Sequence, residues 1–242
     1  MPKGSFTQGF CLLTDGSTTL DDIASALKSH RFEIAKQTTG QGNWWFSGPS
    51  LVVPYLPECN GYVAVDLVDK TWPDNMGDPK LEPMILGAWS MGHFGPFTYP
   101  GGLERARQHS WEWEMGPEVA AGHSGFIRLR VSYVFGGEGD LKLFPESYDP
   151  LAELDFLSRA VVALLDVPGV VCYFNPNGEV LRDREGFVEV WDECRERQLI
   201  PLPLWSNIRF YKLNDRLGFM DAIGNGQFDI SDVEAIYPRS GY

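Results

Sequence analysis

Residues 126–135 read FIRLRVSYVF, and their strict alternation constrains the fold more than any other stretch of the chain. Ile127, Leu129, Val131 and Tyr133 fall on one face of an extended segment, and Arg128, Arg130 and Ser132 on the other. Successive side chains of a strand point to opposite sides, so this is a strand with one apolar face. An apolar sheet face needs a second layer over it. DPLAELDFLSRAVVALLD, residues 149–166, can supply one. Asp149 is placed to cap a helix, and Pro150 follows where its missing N–H costs nothing. Leu151, Leu154, Leu157, Val161, Leu164 and Leu165 form the predicted buried stripe.

The other elements follow the same signals. GFCLL at 9–13 reads as a strand, and TTLDDIASALKSH as a helix with a capping box of Thr19 and Asp22. RFEIAK, SLVVPYL and YVAVDLV are further strand candidates, with Asn60-Gly61 suited to a tight turn before the last. Residues 70–100 are rich in Pro and Gly and predict long loops around a short apolar segment at 84–89. LERARQHSWEW reads as a short helix, VPGVVCYFN as a buried strand, NPNG as a turn and EGFVEVWDECRER as a helix. NIRFYKL and RLGFMDAI read as a terminal hairpin, with a further strand after it. The expected class is α+β: a mainly antiparallel sheet with helices packed on one side, in a single domain over 1–242. Two halves, 1–100 and 101–242, each run strand, helix and then strands, the order a duplication would leave, although they share no sequence repeat.

Charge narrows the function. Lys plus Arg number 20 against 33 Asp plus Glu, a formal charge of −13. Such a chain repels nucleic-acid backbones and anionic lipid and attracts basic partners. The start, MPKGSFTQGFCLLTDG, has no apolar run of signal-peptide length, and no segment is long enough to span a bilayer, so a cytoplasmic protein is expected. Cys11, Cys59, Cys172 and Cys194 are far apart, which argues against a zinc knuckle or a redox pair.

The candidate chemistry gathers at ERARQHSWEWEMGPEVAAGH, 104–123. If the helix there runs over 103–113, His109 and Glu112 share a face. His123 and His93 could add further ligands, but nothing in the spacing compels convergence, and a metal needs three or four. DAIGNGQFDISD, 221–232, mimics a calcium loop but carries Ile223 at its third position and Asp232 at its last. GHSGF lacks the second glycine of a serine elbow, since Phe126 stands two residues after Ser124. No dinucleotide or P-loop glycine pattern occurs. No cofactor is expected. The eight tryptophans are too many for one core in a helix-poor domain, and several lie in loop-like stretches, where indoles suit an interface.

Three blocks carry a resemblance: His123 with the strand FIRLRVSYVF, LDFLSRAVVALLD with VPGVVCYF, and LIPLPLW followed by DAIGNGQFDI. With them the chain resembles a bacterial family of domains of unknown function found in stand-alone proteins of this size, which has a helix where LERARQHSW falls. In overall type it is also similar to immunity proteins of bacterial toxin systems, which are acidic, α+β, rich in Trp and without catalytic motifs. The resemblance implies a non-catalytic protein that neutralises a basic, toxin-like partner. The expected contact residues are Trp72, Trp111, Glu112, Trp113 and Glu114. The rivals are a hydrolase or metal-dependent enzyme using His93, His109 or His123 with Glu112, and a domain with a small-molecule ligand.

Overall fold

The alternating stretch becomes β5 (Gly125–Ser132), the middle strand of a seven-stranded sheet. The computed structural model describes residues 2–40, 43–78, 80–135 and 141–239. The sheet is completed by β1 (Gln8–Thr14), β2 (Lys36–Thr38), β3 (Ser50–Leu56), β4 (Gly61–Val68), β6 (Val170–Asn175) and β7 (Val180–Arg182). Their order is β2-β3-β4-β5-β1-β6-β7, and every neighbouring pair is antiparallel. β1 thus lies between β5 and β6, so one sheet runs through both halves of the sequence. A smaller antiparallel sheet of β8 (Asn207–Lys212), β9 (Leu217–Ile223) and β10 (Glu234–Pro238) has the order β10-β9-β8. The fold is α+β, as expected, but its helices pack on both faces of the large sheet, not on one.

The long helices α1 (Leu20–Ser29), α5 (Pro150–Leu164) and α6 (Arg184–Glu196) cover one face of the large sheet. Local chemistry starts them. Thr19 Oγ1 accepts from the Asp22 amide at 3.2 Å while Asp22 Oδ2 accepts from the Thr19 amide, closing the capping box. Asp149 Oδ1 accepts from the amides of Leu151 and Ala152 at 2.9 and 3.2 Å. Leu154, Leu157, Val161, Leu164 and Leu165 are buried against Ile127, Leu129 and Val131. Leu151 departs from the predicted stripe and is exposed, and Glu153 is buried in its stead.

The opposite face carries a second core. Phe126, Cys11, Leu13, Cys172 and Phe174 of the sheet meet α2 (Pro83–Ser90), α3 (Gly102–Gln108), α4 (Gly116–Ala121) and the loops between them. Arg128 and Arg130 point into this layer and are buried, not solvated. Register explains how. Asp66 of β4 stands opposite Arg128, and its carboxylate accepts from Arg128 and from Arg130 Nη2 at 2.9 Å. Arg128 also donates to the carbonyls of Trp44, Trp45 and His93, and Arg130 Nη1 to that of Phe46. The two arginines hold Asp66 below the usual carboxylate range despite its burial, while burial and then Arg128 push Arg130 down to about 9.

One local expectation fails and a second holds only in part. RFEIAK is not a strand: Arg31 has φ 66°, α1 has just ended, and only Lys36–Thr38 pair with β3. At Asn60-Gly61 only Asn60 is left-handed, with φ 59°, after a 3-10 turn at Pro57–Cys59. Gly61 lies in β4, where a Cβ would come within 2.8 Å of the Tyr133 ring.

Candidate functional site

α3 ends at Gln108 with His109 as its cap, so His109 and Glu112 do not share a helical face as predicted. The chain instead turns at 110–113, with Ser110 Oγ donating to the Trp113 carbonyl at 3.1 Å. The turn leans on the edge strand β8. Trp111 Nε1 donates to the Ile208 carbonyl at 3.2 Å, and Asn207 Nδ2 to the His109 carbonyl at 3.4 Å. The His109 ring packs edge-on to Trp111 and Tyr211, with centroids 5.5 and 5.0 Å away.

An ion network fastens α3 to the small sheet. Glu179, after the NPNG turn, accepts from Arg105 at 2.7 Å and from Arg209 at 2.9 Å, and Arg209 also pairs with Asp221. Burial pushes the Glu179 carboxyl up, and the two arginines oppose the shift.

Between the turn, the end of β7 and β8 lies a cavity of about 420 Å³. Its apolar walls are Trp111, Leu202, Pro203, Ile208 and Phe210. Its fixed cation is Arg182, buried at 7% exposure. One guanidinium nitrogen of Arg182 pairs with Glu112, and another donates to the Pro203 carbonyl at 3.2 Å. Among the described residues Arg182 Nε is buried without a partner, and so is His109 Nδ1. Burial and then Arg209 push the His109 imidazole below its usual range, and Asp221 opposes the shift. The Trp111 ring, 58% exposed, forms the rim. Ile208 and Phe210 alternate with Arg209 and Tyr211 along β8, so both present exposed side chains on the same face, with the Phe210 ring 5.9 Å from Trp111.

The five expected contact residues therefore part company. Trp111 and Glu112 line the cavity. Trp113 is half-buried against the second core, and Glu114 is exposed away from the cavity lining. Trp72 belongs to the second core at 4% exposure, edge-on to Phe126 and Phe174 at 5.3 and 5.2 Å, and has no surface to offer.

The histidines are separate. His123 Nε2 accepts from the Trp72 amide at 2.8 Å, so Nδ1 carries the proton and donates to the Ala120 carbonyl. Both ring nitrogens are thus used to seat Trp72. His93 Nδ1 lies 2.9 Å from Arg130 Nη1, and burial with the two guanidiniums pushes its imidazole down to about 4. Among the described residues no three His, Cys, Asp or Glu side chains converge to hold a metal. In the calcium-loop lookalike, the Asp232 carboxylate accepts from the Asn225 amide at 2.9 Å, and Asn225–Phe228 form a 3-10 turn. Ser124 precedes β5 and donates its amide to the Thr14 carbonyl, far from the strand-to-helix turn an elbow needs.

Sequence reasoning missed Arg182, the buried Asp66–Arg128–Arg130 triad and Glu153. The last two had a signal: opposite charges on adjacent predicted strands, and an acid inside a helical apolar stripe. No helix among the described residues is long and apolar enough to cross a membrane. No protein-family model matches the chain, and no curated protein or solved structure matches it.

Proposed function

We propose that the chain is a non-catalytic binding protein that takes a basic protein partner on the face formed by Trp111, Ile208 and Phe210. Neutralising that partner, as immunity proteins do to toxins, is the role this reading assigns. The observation that carries it is the exposed indole of Trp111 beside two exposed apolar side chains of one strand. Aromatic side chains offer large contact area at low rotamer cost, and contiguous apolar surface marks interaction sites. The charge of −13 selects the partner's sign and disfavours a second copy of the same chain. The hydrolase reading gains no support from His123, whose ring is committed to Trp72 and Ala120, nor from Glu112, which is paired with Arg182.

The test is capture of a partner from the native cells, followed by titration of the purified pair. Trp111→Ala should weaken binding by about thirtyfold, the loss of a central anchor worth about 2 kcal/mol. Glu114→Gln should chiefly slow association and reduce its salt dependence. Recovery of no basic partner, or a Trp111→Ala variant that binds like the parent, removes the proposal.

A further inference from the structure

The cavity beneath Trp111 has a chemistry of its own, independent of any protein partner. We propose that this cavity binds an apolar carboxylate, whose carboxyl group replaces that of Glu112 on the Arg182 guanidinium.

The two ends of the Arg182–Glu112 pair differ in their surroundings. Arg182 has 8% of its side chain exposed and is hemmed in by Leu181, Pro203 and the end of β7. Glu112 has 62% of its side chain exposed and hangs from a turn. An arginine cannot deprotonate at neutral pH, so a buried guanidinium always needs an anion beside it. Glu112 supplies that anion from the surface. Exchanging it for a ligand carboxylate leaves Arg182 paired and lets Glu112 return to water, so no buried charge is created or abandoned.

The rest of the cavity fits such a ligand. Its volume of about 420 Å³ lies within the ordinary range for small-ligand sites, and Trp111, Leu202, Pro203 and Ile208 wall it with apolar surface. Arg182 and His109 place the polar groups of the lining at one side of these apolar walls. A cationic ligand is disfavoured, because the nearby carboxylates Glu179 and Asp221 are already engaged by Arg105 and Arg209. A phosphate dianion would carry more charge than the single guanidinium and would leave the apolar walls unused.

The same chemistry can come from a free aromatic acid or from the terminal carboxylate of a polypeptide with an apolar last residue. Calorimetric titration of the full chain at pH 7.5 distinguishes them. The probes are phenylacetate against phenylacetamide, and a short peptide ending in leucine with a free or an amidated terminus. At least one acid should bind with a Kd below about 1 mM and its amide at least about tenfold more weakly. Binding by phenylacetate alone assigns a free acid, and binding by the peptide alone assigns a chain terminus. The decisive variant is Glu112→Gln, which leaves Arg182 without its anion in the free protein, so its urea-unfolding midpoint is measured first to establish that it is folded. By removing the internal competitor it should tighten acid binding by about two- to fivefold, the strength of a half-exposed ion pair. Arg182→Gln should abolish it. Failure of both acids to bind, equal binding of acid and amide, or weaker binding by Glu112→Gln overturns the inference. None of these results depends on capturing a protein partner, so the two proposals fail separately.

Discussion

Replacing Glu153 by glutamine should stabilise this protein at alkaline pH and leave it nearly unchanged in acid. Glu153 sits in the first turn of α5, fully buried, with the hydroxyls of Tyr133 and Thr7 turned towards its carboxylate. A helix N-terminus favours negative charge by up to about 1 kcal/mol, but removing a carboxylate from water costs several times as much. Burial therefore wins. It pushes the Glu153 carboxyl from 4.5 up to about 7, with Tyr133 and Thr7 pulling weakly downward and Asp149 and Asp229 adding to the rise. A raised acid pKa means that the folded state holds the proton more tightly than the unfolded one. The stability this provides is full below pH 4.5, is lost as pH rises towards 7, and stays lost above it. At about 1.36 kcal/mol per pH unit the interval amounts to about 3 kcal/mol. Glutamine keeps the shape and cannot ionise. Urea unfolding of parent and variant should give equal midpoints at pH 4.5 and a variant more stable by about 2–3 kcal/mol at pH 8. Taking the difference between the two proteins cancels every other titrating group. Curves that stay parallel from pH 4.5 to pH 8 would refute the reasoning, because they would mean Glu153 is already ionised or solvated in the fold.

Asp66→Asn removes the carboxylate that faces two buried guanidiniums and should cost about 3–5 kcal/mol in urea unfolding; a loss under about 1 kcal/mol would mean that the carbonyls of residues 44–46 solvate the two cations without it. Leu157→Ala and Leu164→Ala should each cost about 2–5 kcal/mol, whereas Leu151→Ala, at an exposed site, should change stability by less than about 0.5 kcal/mol; equal losses at all three would mean that α5 is rotated. A gel-shift or anisotropy titration should find no micromolar binding to random duplex at physiological salt, since a charge of −13 provides no phosphate-neutralising surface.

What was legible in the sequence was local. The caps at Thr19 and Asp149 and the stripe from Leu154 to Leu165 depend on residues a few positions apart, so spacing alone places them. The second layer was not legible, because strict alternation says only that two faces differ. Arg128 and Arg130 fall on the polar side of that alternation, and their burial emerges only when β4 is laid beside β5 and Asp66 comes opposite Arg128. That pairing spans 62 residues and no local period records it. The clue was the sign of the charges: two arginines on one strand, and an aspartate at the equivalent alternation on another.

The tryptophans show the same boundary at the candidate site. Their number argued against a single core, and the fold indeed divides them. Trp191 and Trp205 lie in the helix-side core, Trp72 and Trp89 in the other, with Trp44, Trp45 and Trp113 packed against its margin. Trp111 is left outside both. Trp72 and Trp111 come from equally irregular stretches, so composition could not tell an anchor from a core ring. The difference lies in what passes beneath each. Under Trp72 run Phe126 and Phe174 of a fully covered sheet, while Trp111 meets only the edge of a three-stranded sheet whose apolar residues Ile208 and Phe210 remain exposed. An excess of indoles in a sequence therefore indicates that a second apolar layer exists. Which ring that layer leaves uncovered is decided by strand order and register, and here that order leaves Trp111 at the mouth of the cavity that holds Arg182.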